Sequence, residues 1–203
     1  MKLDKALGDI SSIRRQMART TEFRGYGPAT LATTGAFAAM AAAAQALWVP
    51  DPASRIGAYL GLWIWTAFFS AAAITAQMHT RTHRIHSGLA DEMIGMAVEQ
   101  FLPSVAAGFF LTIVLARFVP AELWILPGLW QIIFSLGVFS SCRFLPRPML
   151  AAGAWYLLTG LICVGFGGTR SLSPWAMGIP FGAGQLLVAA ILLFTSSEGA
   201  DDK

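Results

Sequence analysis

Residues 28–49 form the stretch that decides the fold: PATLATTGAFAAMAAAAQALWV, a run of apolar and small residues without one charged side chain. A helix rises about 1.5 Å per residue, so roughly 20 residues cross the hydrocarbon core of a bilayer, which is about 30 Å thick. Five further stretches of this kind follow. We therefore predict an all-α, polytopic transmembrane bundle of six helices, with spans at about 28–49, 56–78, 97–119, 123–144, 149–167 and 174–195.

The overall composition indicates that lipid surrounds most of the chain. Of the 203 residues, 56% are hydrophobic and only 12% are charged, whereas a soluble domain has about 25% charged residues. So little polar surface cannot cover a water-soluble globule, but lipid accepts apolar side chains on the outside of a protein. The net charge of +3 could suggest a nucleic-acid partner. The basic residues are scattered between apolar blocks and form no continuous face, so we expect no nucleic acid.

Lysine and arginine are distributed unequally over the two sides of the predicted bundle. Eleven of the fourteen lie before the first span, in the second and fourth connections, and after the last span. Basic residues accumulate in the cytoplasmic connections of membrane proteins, so we predict that both termini are cytoplasmic. The other three basic residues fall at the opposite side, and they are Arg55, Arg117 and Arg170.

Residues 1–27, before the first span, are predicted to form a basic amphipathic helix in the cytoplasm. Their apolar residues recur at intervals of three and four, which places them on one helix face. Two interpretations remain open. The helix could lie on anionic lipid, or it could dock on a cytoplasmic protein partner or a second copy of the chain. The candidate contact residues are Arg14, Arg15, Arg19 and Arg24.

The chain also carries signs of an internal repeat. The tripeptide Gly-Leu-Trp occurs at residues 61–63 and again at residues 128–130, in the second and fourth spans. A more distant pattern of proline, tryptophan and glycine opens the sixth span. These matches predict three helical hairpins within the membrane domain 28–195, followed by a short cytoplasmic tail at residues 196–203.

Several short segments carry a resemblance to a known group of proteins. They are IRRQMAR at 13–19, FRGYG at 23–27, SGLADE at 87–92 and EQFLP at 99–103. With these segments the chain resembles a family of bacterial multi-span membrane proteins that has no established activity. The resemblance implies a location in the bacterial cytoplasmic (inner) membrane, and it carries over no functional residues.

The densest polar feature is the second connection, which holds all three histidines of the chain. Their spacing of four and three residues would place them within one sector of a continuous helix. Imidazole and carboxylate can bind zinc or iron, and histidine can sense pH near neutrality. Alternatively, the segment is a solvated extension of the second span. The candidate residues for a metal or pH-sensing site are His79, His83, His86, Asp91, Glu92 and Glu99.

Two of the amides inside predicted spans follow proline or glycine interruptions of the helix. Gln131 follows a Pro-Gly pair in the fourth span, and Gln185 follows a series of glycines in the sixth. Interrupted helices at corresponding places can mark the substrate site of a transporter. Small residues and amides also serve close helix packing, so both interpretations stay open. The candidate ligand-lining residues are Gln131, Gln185, Gly182 and Gly184.

No motif in the sequence indicates a particular reaction. A phosphate-binding glycine loop, a His-Glu-x-x-His pair and a Cys-x-x-Cys pair are all missing, and we interpret Cys142 and Cys163 as packing residues. We therefore expect a non-enzymatic membrane module that acts through its cytoplasmic face on a partner. The alternative is a small transporter, exporter or channel with a path between spans four and six. A third hypothesis is a metal-dependent membrane enzyme, and apart from that metal we predict no cofactor.

Overall fold

The computed structural model describes residues 28–82, 88–142 and 147–201, and in these ranges the chain is helical without any strand. Six long helices follow one another, and two short 3-10 helices precede the fourth and the sixth. The 3-10 helices span Pro120–Ile125 and Gly168–Leu172. The long helices are α1 (Pro28–Trp48), α2 (Ile56–Thr82), α3 (Gly88–Phe118), α4 (Leu126–Ser141), α5 (Met149–Phe166) and α6 (Pro174–Asp201).

Each of the six helical segments is long and apolar enough to cross a bilayer. The candidate spans have 18 to 22 residues, and their mean hydropathy lies between 1.2 and 1.9. The prediction of an all-helical bundle with six spans is thereby confirmed, and the chain is a multi-pass membrane protein. Proline opens α1 and α6, as expected because its missing N–H has no helical partner in the first turn. The segment 1–27 lies outside the described residues.

Several helices differ from the apolar stretches that predicted them: α2 continues to Thr82, and α6 continues to Asp201, into the predicted tail. Helix α3 begins at Gly88, about nine residues before the apolar stretch at 97. Residues 88–96 are mostly good helix formers, and the backbone hydrogen bonds of a helix form in water as well as in lipid. The fourth span is composite, because the 3-10 helix that starts at Pro120 leads into α4 at Leu126. An apolar stretch therefore marks the part of a helix that lies in lipid, and the helix itself can begin before or after that stretch.

The six helices pack side by side in a consistent order of neighbours. That order is α2, α1, α6, α5, α4, α3, and the two largest interfaces are α1 with α6 and α4 with α5. Helices α2 and α3 stand at the two ends of the series and pack mainly on α1 and α4, respectively. Connections 49–55, 119–125 and 167–173 come together at one end of the bundle, which we call the loop end.

Both large interfaces depend on glycines that let two backbones approach closely. On α5, a Cβ added to Gly160 would lie 2.9 Å from the carbonyl oxygen of Gly128 on α4. On α1, a Cβ added to Gly35 would lie 3.1 Å from the carbonyl oxygen of Gly182 on α6. Lipid is as apolar as leucine, so helices in a membrane associate largely through such close van der Waals packing.

The first two hairpins share a hydrogen bond at equivalent positions. In the first hairpin the indole N–H of Trp63 donates to Gln45 at 2.8 Å, and in the second that of Trp130 donates to Thr112 at 2.9 Å. Each acceptor lies 18 residues before its tryptophan, and the two tryptophans close the repeated Gly-Leu-Trp. In the third hairpin an indole also joins the two helices, but Trp155 lies on the first helix and donates to the carbonyl oxygen of Pro180.

We expect Gly160→Ala to destabilise the protein by about 1–3 kcal/mol, because the new methyl group overpacks the backbone of α4. The matched control is Gly165→Ala on the same helix, where nothing lies within 4 Å of the added Cβ. The control should be neutral or stabilising, because alanine favours a helix by up to about 1 kcal/mol over glycine. Denaturant titration in detergent, followed by circular dichroism, measures both. Equal stability of the two variants would contradict the close crossing.

Candidate functional site: polar groups inside the bundle

Gln131 links α4 to α6 inside the bundle. Its side chain is fully buried, and its amide nitrogen donates to the carbonyl oxygens of Ala176 at 2.9 Å and Pro127 at 3.2 Å. The bond to Ala176 joins the two helices between which the transporter hypothesis expects a path. The amide oxygen has no hydrogen-bond partner among the described residues. Gln131 therefore holds the two helices together and keeps one free acceptor in the interior.

Gln185 lies deeper along α6, where three helices meet. Its Cβ is 3.2 Å from the position of a Cβ added to Gly35 on α1. On its other side the residue approaches the hydroxyl of Tyr156 on α5. Neither the Gln185 oxygen nor the Tyr156 hydroxyl has a described partner with hydrogen-bonding geometry. Both groups are buried, so two more polar atoms lie unsatisfied inside the bundle.

The two predicted glycines beside Gln185 have separate neighbours. Gly182 faces Gly35 across the α1–α6 interface. Gly184 lies so close to the ring of Tyr156 that a side chain there would collide with the hydroxyl. Packing and ligand lining both remain open for the four predicted residues. They do not form one site, because Gln131 reaches α6 at Ala176, nine residues or about 13 Å along the axis from Gln185.

An aromatic cluster fills the centre of the bundle beside Gln185. The rings of Phe134, Tyr156 and Phe181 come from α4, α5 and α6, and their centroids lie 4.7 to 5.5 Å apart. Edge-to-face and tilted arrangements of this kind are favourable because the rings carry a quadrupole. No feature of the sequence singles out these residues. Aromatic residues are frequent in every span, and no spacing marks these three.

Both ends of the Gln45 amide are hydrogen-bonded in the interior, and no sequence signal predicted this contact. It is fully buried near the end of α1. Its amide nitrogen donates to the carbonyl oxygen of Leu172 at 2.7 Å, and its amide oxygen accepts from the indole of Trp63 at 2.8 Å. One side chain thus joins α1, α2 and the 3-10 helix before α6.

The connection between α5 and α6 is inserted into the bundle. It starts with Gly167 and Gly168, whose φ angles of 66° and 58° suit glycine because other residues rarely adopt them. The chain then turns inward, so that Ser171 and Leu172 are buried. The Ser171 hydroxyl donates to the carbonyl oxygen of Cys163 at 2.6 Å. Together with the bond from Gln45, this contact holds the connection at two consecutive residues.

All three connections of the loop end surround one cleft of about 170 Å³. Buried Leu123 and Leu172 form its floor, and half-buried Ile56 and Trp124 form its walls. The indole N–H of Trp124 donates to the carboxylate of Glu122 at 2.8 Å, which fixes the orientation of the ring. The exposed rim consists of Ala53, Pro120, Ala121, Gly168 and Thr169.

The first connection of the loop end is ordered by its own polar groups. The Arg55 guanidinium donates to the carbonyl oxygen of Trp48 at 2.9 Å and so caps the last turn of α1. Asp51 accepts from the backbone N–H of Ser54 at 3.4 Å. Hydrogen bonding by Ser54 lowers the pKa of the exposed Asp51 carboxyl, because it favours the charged form. This short loop is therefore pre-organised at one side of the cleft.

The histidine and carboxylate cluster falls mostly outside the described residues. His79 belongs to the last turns of α2, and Asp91 and Glu92 belong to the first turns of α3, but the positions of their side chains are not described. His83 and His86, like the four arginines of the N-terminal segment, lie outside the described ranges. Glu99 is exposed and is the second residue of the apolar segment Val98–Phe118. It therefore lies at the boundary of the span, and the metal and pH-sensing hypotheses stay predictions.

Comparison with known proteins identifies no relative: no protein-family model matches the chain, and neither a curated protein nor a solved structure is significantly similar to it. The resemblance to bacterial multi-span proteins therefore remains an expectation from the sequence.

We expect Gln45→Leu to destabilise the protein by about 1–3 kcal/mol, because it leaves the Leu172 carbonyl and the Trp63 indole buried without partners. The control is Gln100→Leu, whose side chain is exposed on α3 and should change stability little. Combining Gln45→Leu with Trp63→Phe completes a double-mutant cycle in the same unfolding assay. Strict additivity of the two substitutions would show that the side chains do not interact.

Proposed function

We propose that the chain is a non-enzymatic module of the bacterial cytoplasmic membrane that acts through its cytoplasmic face on a protein partner. The observation that supports this most is the distribution of charge over a six-span fold. An even number of spans returns the C-terminus to the side of the N-terminus. Eleven of the fourteen basic residues then fall on that side, which the positive-inside rule assigns to the cytoplasm.

The two ends of the bundle differ in how they use their polar groups. At the loop end, Arg55 caps α1, Glu122 binds the indole of Trp124, and Ser171 binds the backbone of Cys163. These groups act within the protein. The opposite end carries the basic segment 1–27 and the second and fourth connections, each of which holds two arginines. This concentration of positive charge suits an acidic surface on a partner. Anionic lipid would also attract it, so the test must separate lipid from protein.

The experiment uses full-length protein in native membranes with a photo-crosslinking residue introduced at Gln16, between the basic residues. We expect a crosslinked protein adduct of defined mass. It should weaken at least fivefold in the triple variant Arg14→Gln, Arg15→Gln, Arg19→Gln, because the acidic partner loses its counter-charges. The matched control, Arg117→Gln, neutralises an exposed arginine at the end of α3 and should leave the adduct unchanged.

Two results of the crosslinking experiment would contradict the proposal. One is an adduct confined to lipid, which would assign the basic helix to the membrane surface. The other is an adduct with a second copy of the same chain, which would assign it to self-association. Mass spectrometry of the adduct distinguishes both results from a protein partner.

We propose a small transporter, exporter or channel as the second candidate function, because polar atoms lie unsatisfied inside the spans. The oxygens of Gln131 and Gln185 and the hydroxyl of Tyr156 are buried without partners among the described residues. Leaving such a group unsatisfied costs about 1–3 kcal/mol, and polar groups within membrane spans frequently line pathways. A solute passing between α4 and α6 would supply hydrogen bonds to these atoms.

Osmotic swelling of proteoliposomes tests this second candidate with urea and glycerol as the permeating solutes. The candidate predicts swelling above that of protein-free liposomes. Replacing both Gln131 and Gln185 with leucine should abolish the excess, because the pathway loses its hydrogen-bonding groups, whereas Gln100→Leu should retain it. Swelling that is indistinguishable from protein-free liposomes for both solutes, or that is unchanged in the double variant, would count against this path.

A further inference from the structure

The cleft at the loop end is large enough for a single small ring. Its volume is about 170 Å³, and a cavity of about 150 Å³ is enough to bind benzene. All three hairpins contribute to it, as Ile56, Trp124 and Leu172 show. Because no single hairpin could form this cleft, it exists only in the assembled bundle.

The floor and walls of the cleft are held in place by contacts below them. Leu172 cannot withdraw without breaking the bond from Gln45 to its carbonyl oxygen and exposing Ser171. The ring of Trp124 is fixed by Glu122. A site whose walls are already ordered loses little conformational entropy when a ligand binds. The cleft is thus pre-organised and is not merely a gap between mobile loops.

The lining determines which class of molecule would fit. The residues that line the cleft are uncharged and mostly apolar, and the charged side chains of Arg55, Glu122 and Arg170 in the same connections do not line it. A charged ligand would lose hydration there without gaining a counter-charge. At the rim, the exposed Thr169 provides a hydroxyl, and the indole face of Trp124 provides a surface on which a ring can stack. These features suit an uncharged ring with one hydrogen-bonding group.

Tyr59 is a further buried polar group in the cluster next to the cleft. It belongs to the same hydrophobic cluster as Leu172, against which Ile56 and Trp124 also pack. It is completely buried, and its hydroxyl has no partner within the described part of the chain.

We propose that the loop-end cleft is a binding site for an uncharged molecule of about one aromatic ring that carries one hydrogen-bonding group, such as a phenol. In the proposed orientation the cleft opens on the outer side of the membrane, so the protein binds this ligand from outside. The site goes beyond the proposed function, because it lies at the opposite end from the basic face and uses none of its residues.

Fluorine NMR of 4-fluorophenol, titrated into the full-length protein in lipid nanodiscs, tests the proposal. Saturable binding is expected. Ala121→Phe should weaken it roughly tenfold, which corresponds to about 1.4 kcal/mol, because the new ring occupies the cleft. The matched control is Ala107→Phe, which adds the same ring to an exposed position on α3 and should bind like the wild type. A non-saturable signal that is equal in all three proteins would reflect partition into lipid alone and would overturn the proposal.

A pair of substitutions at Thr169 keeps the test decisive even if Ala121→Phe fails to fold. Thr169→Ser retains the hydroxyl and should bind 4-fluorophenol like the wild type. Thr169→Val removes it and should weaken binding several-fold without filling the cleft. If both variants bind with equal affinity, the Thr169 hydroxyl does not bind the ligand, which would contradict the proposal. Crosslinking through the basic segment should persist in every cleft variant, so a failure here is distinguishable from a failure of the partner proposal.

Discussion

The constraint on which the whole structure depends is the absence of hydrogen-bonding partners in hydrocarbon. Each backbone N–H and C=O within the membrane must bond inside the chain, and a helix achieves this locally. Lipid also removes the penalty for exposing large apolar side chains. Phe109, Leu161 and Leu193 are all more than half exposed, which would be unfavourable in water and is expected in a bilayer.

The same solvent changes what holds the helices together. Apolar side chains gain little by leaving lipid for a protein interior, so leucines and phenylalanines do not by themselves specify which helices meet. In this bundle the two large interfaces meet at glycines, as at Gly128 with Gly160. Buried amides add directed bonds across helices, as Gln45 does to Leu172 and Gln131 does to Ala176. Small and polar residues therefore determine the arrangement, although apolar ones dominate the composition.

The bundle separates two kinds of chemistry between its ends. The loop end has short connections whose polar groups bind one another and enclose an uncharged cleft. The opposite end concentrates the basic residues of the chain. The interior between them contains unsatisfied oxygens on α4 and α6 together with the aromatic cluster of Phe134, Tyr156 and Phe181.

The amino-acid sequence by itself determined the number of spans and the helical class, because both follow from local apolarity and length. It also singled out Gln131 and Gln185, since each follows a proline or glycine interruption that is visible without a structure. The tertiary structure alone decided what these residues contact. Gln45 was missed in an alanine-rich run, and its acceptor Leu172 lies 127 residues away. The cleft needs three connections that are distant in sequence. Such contacts arise only when the helices are packed, because no local pattern encodes which distant backbone a side chain will meet.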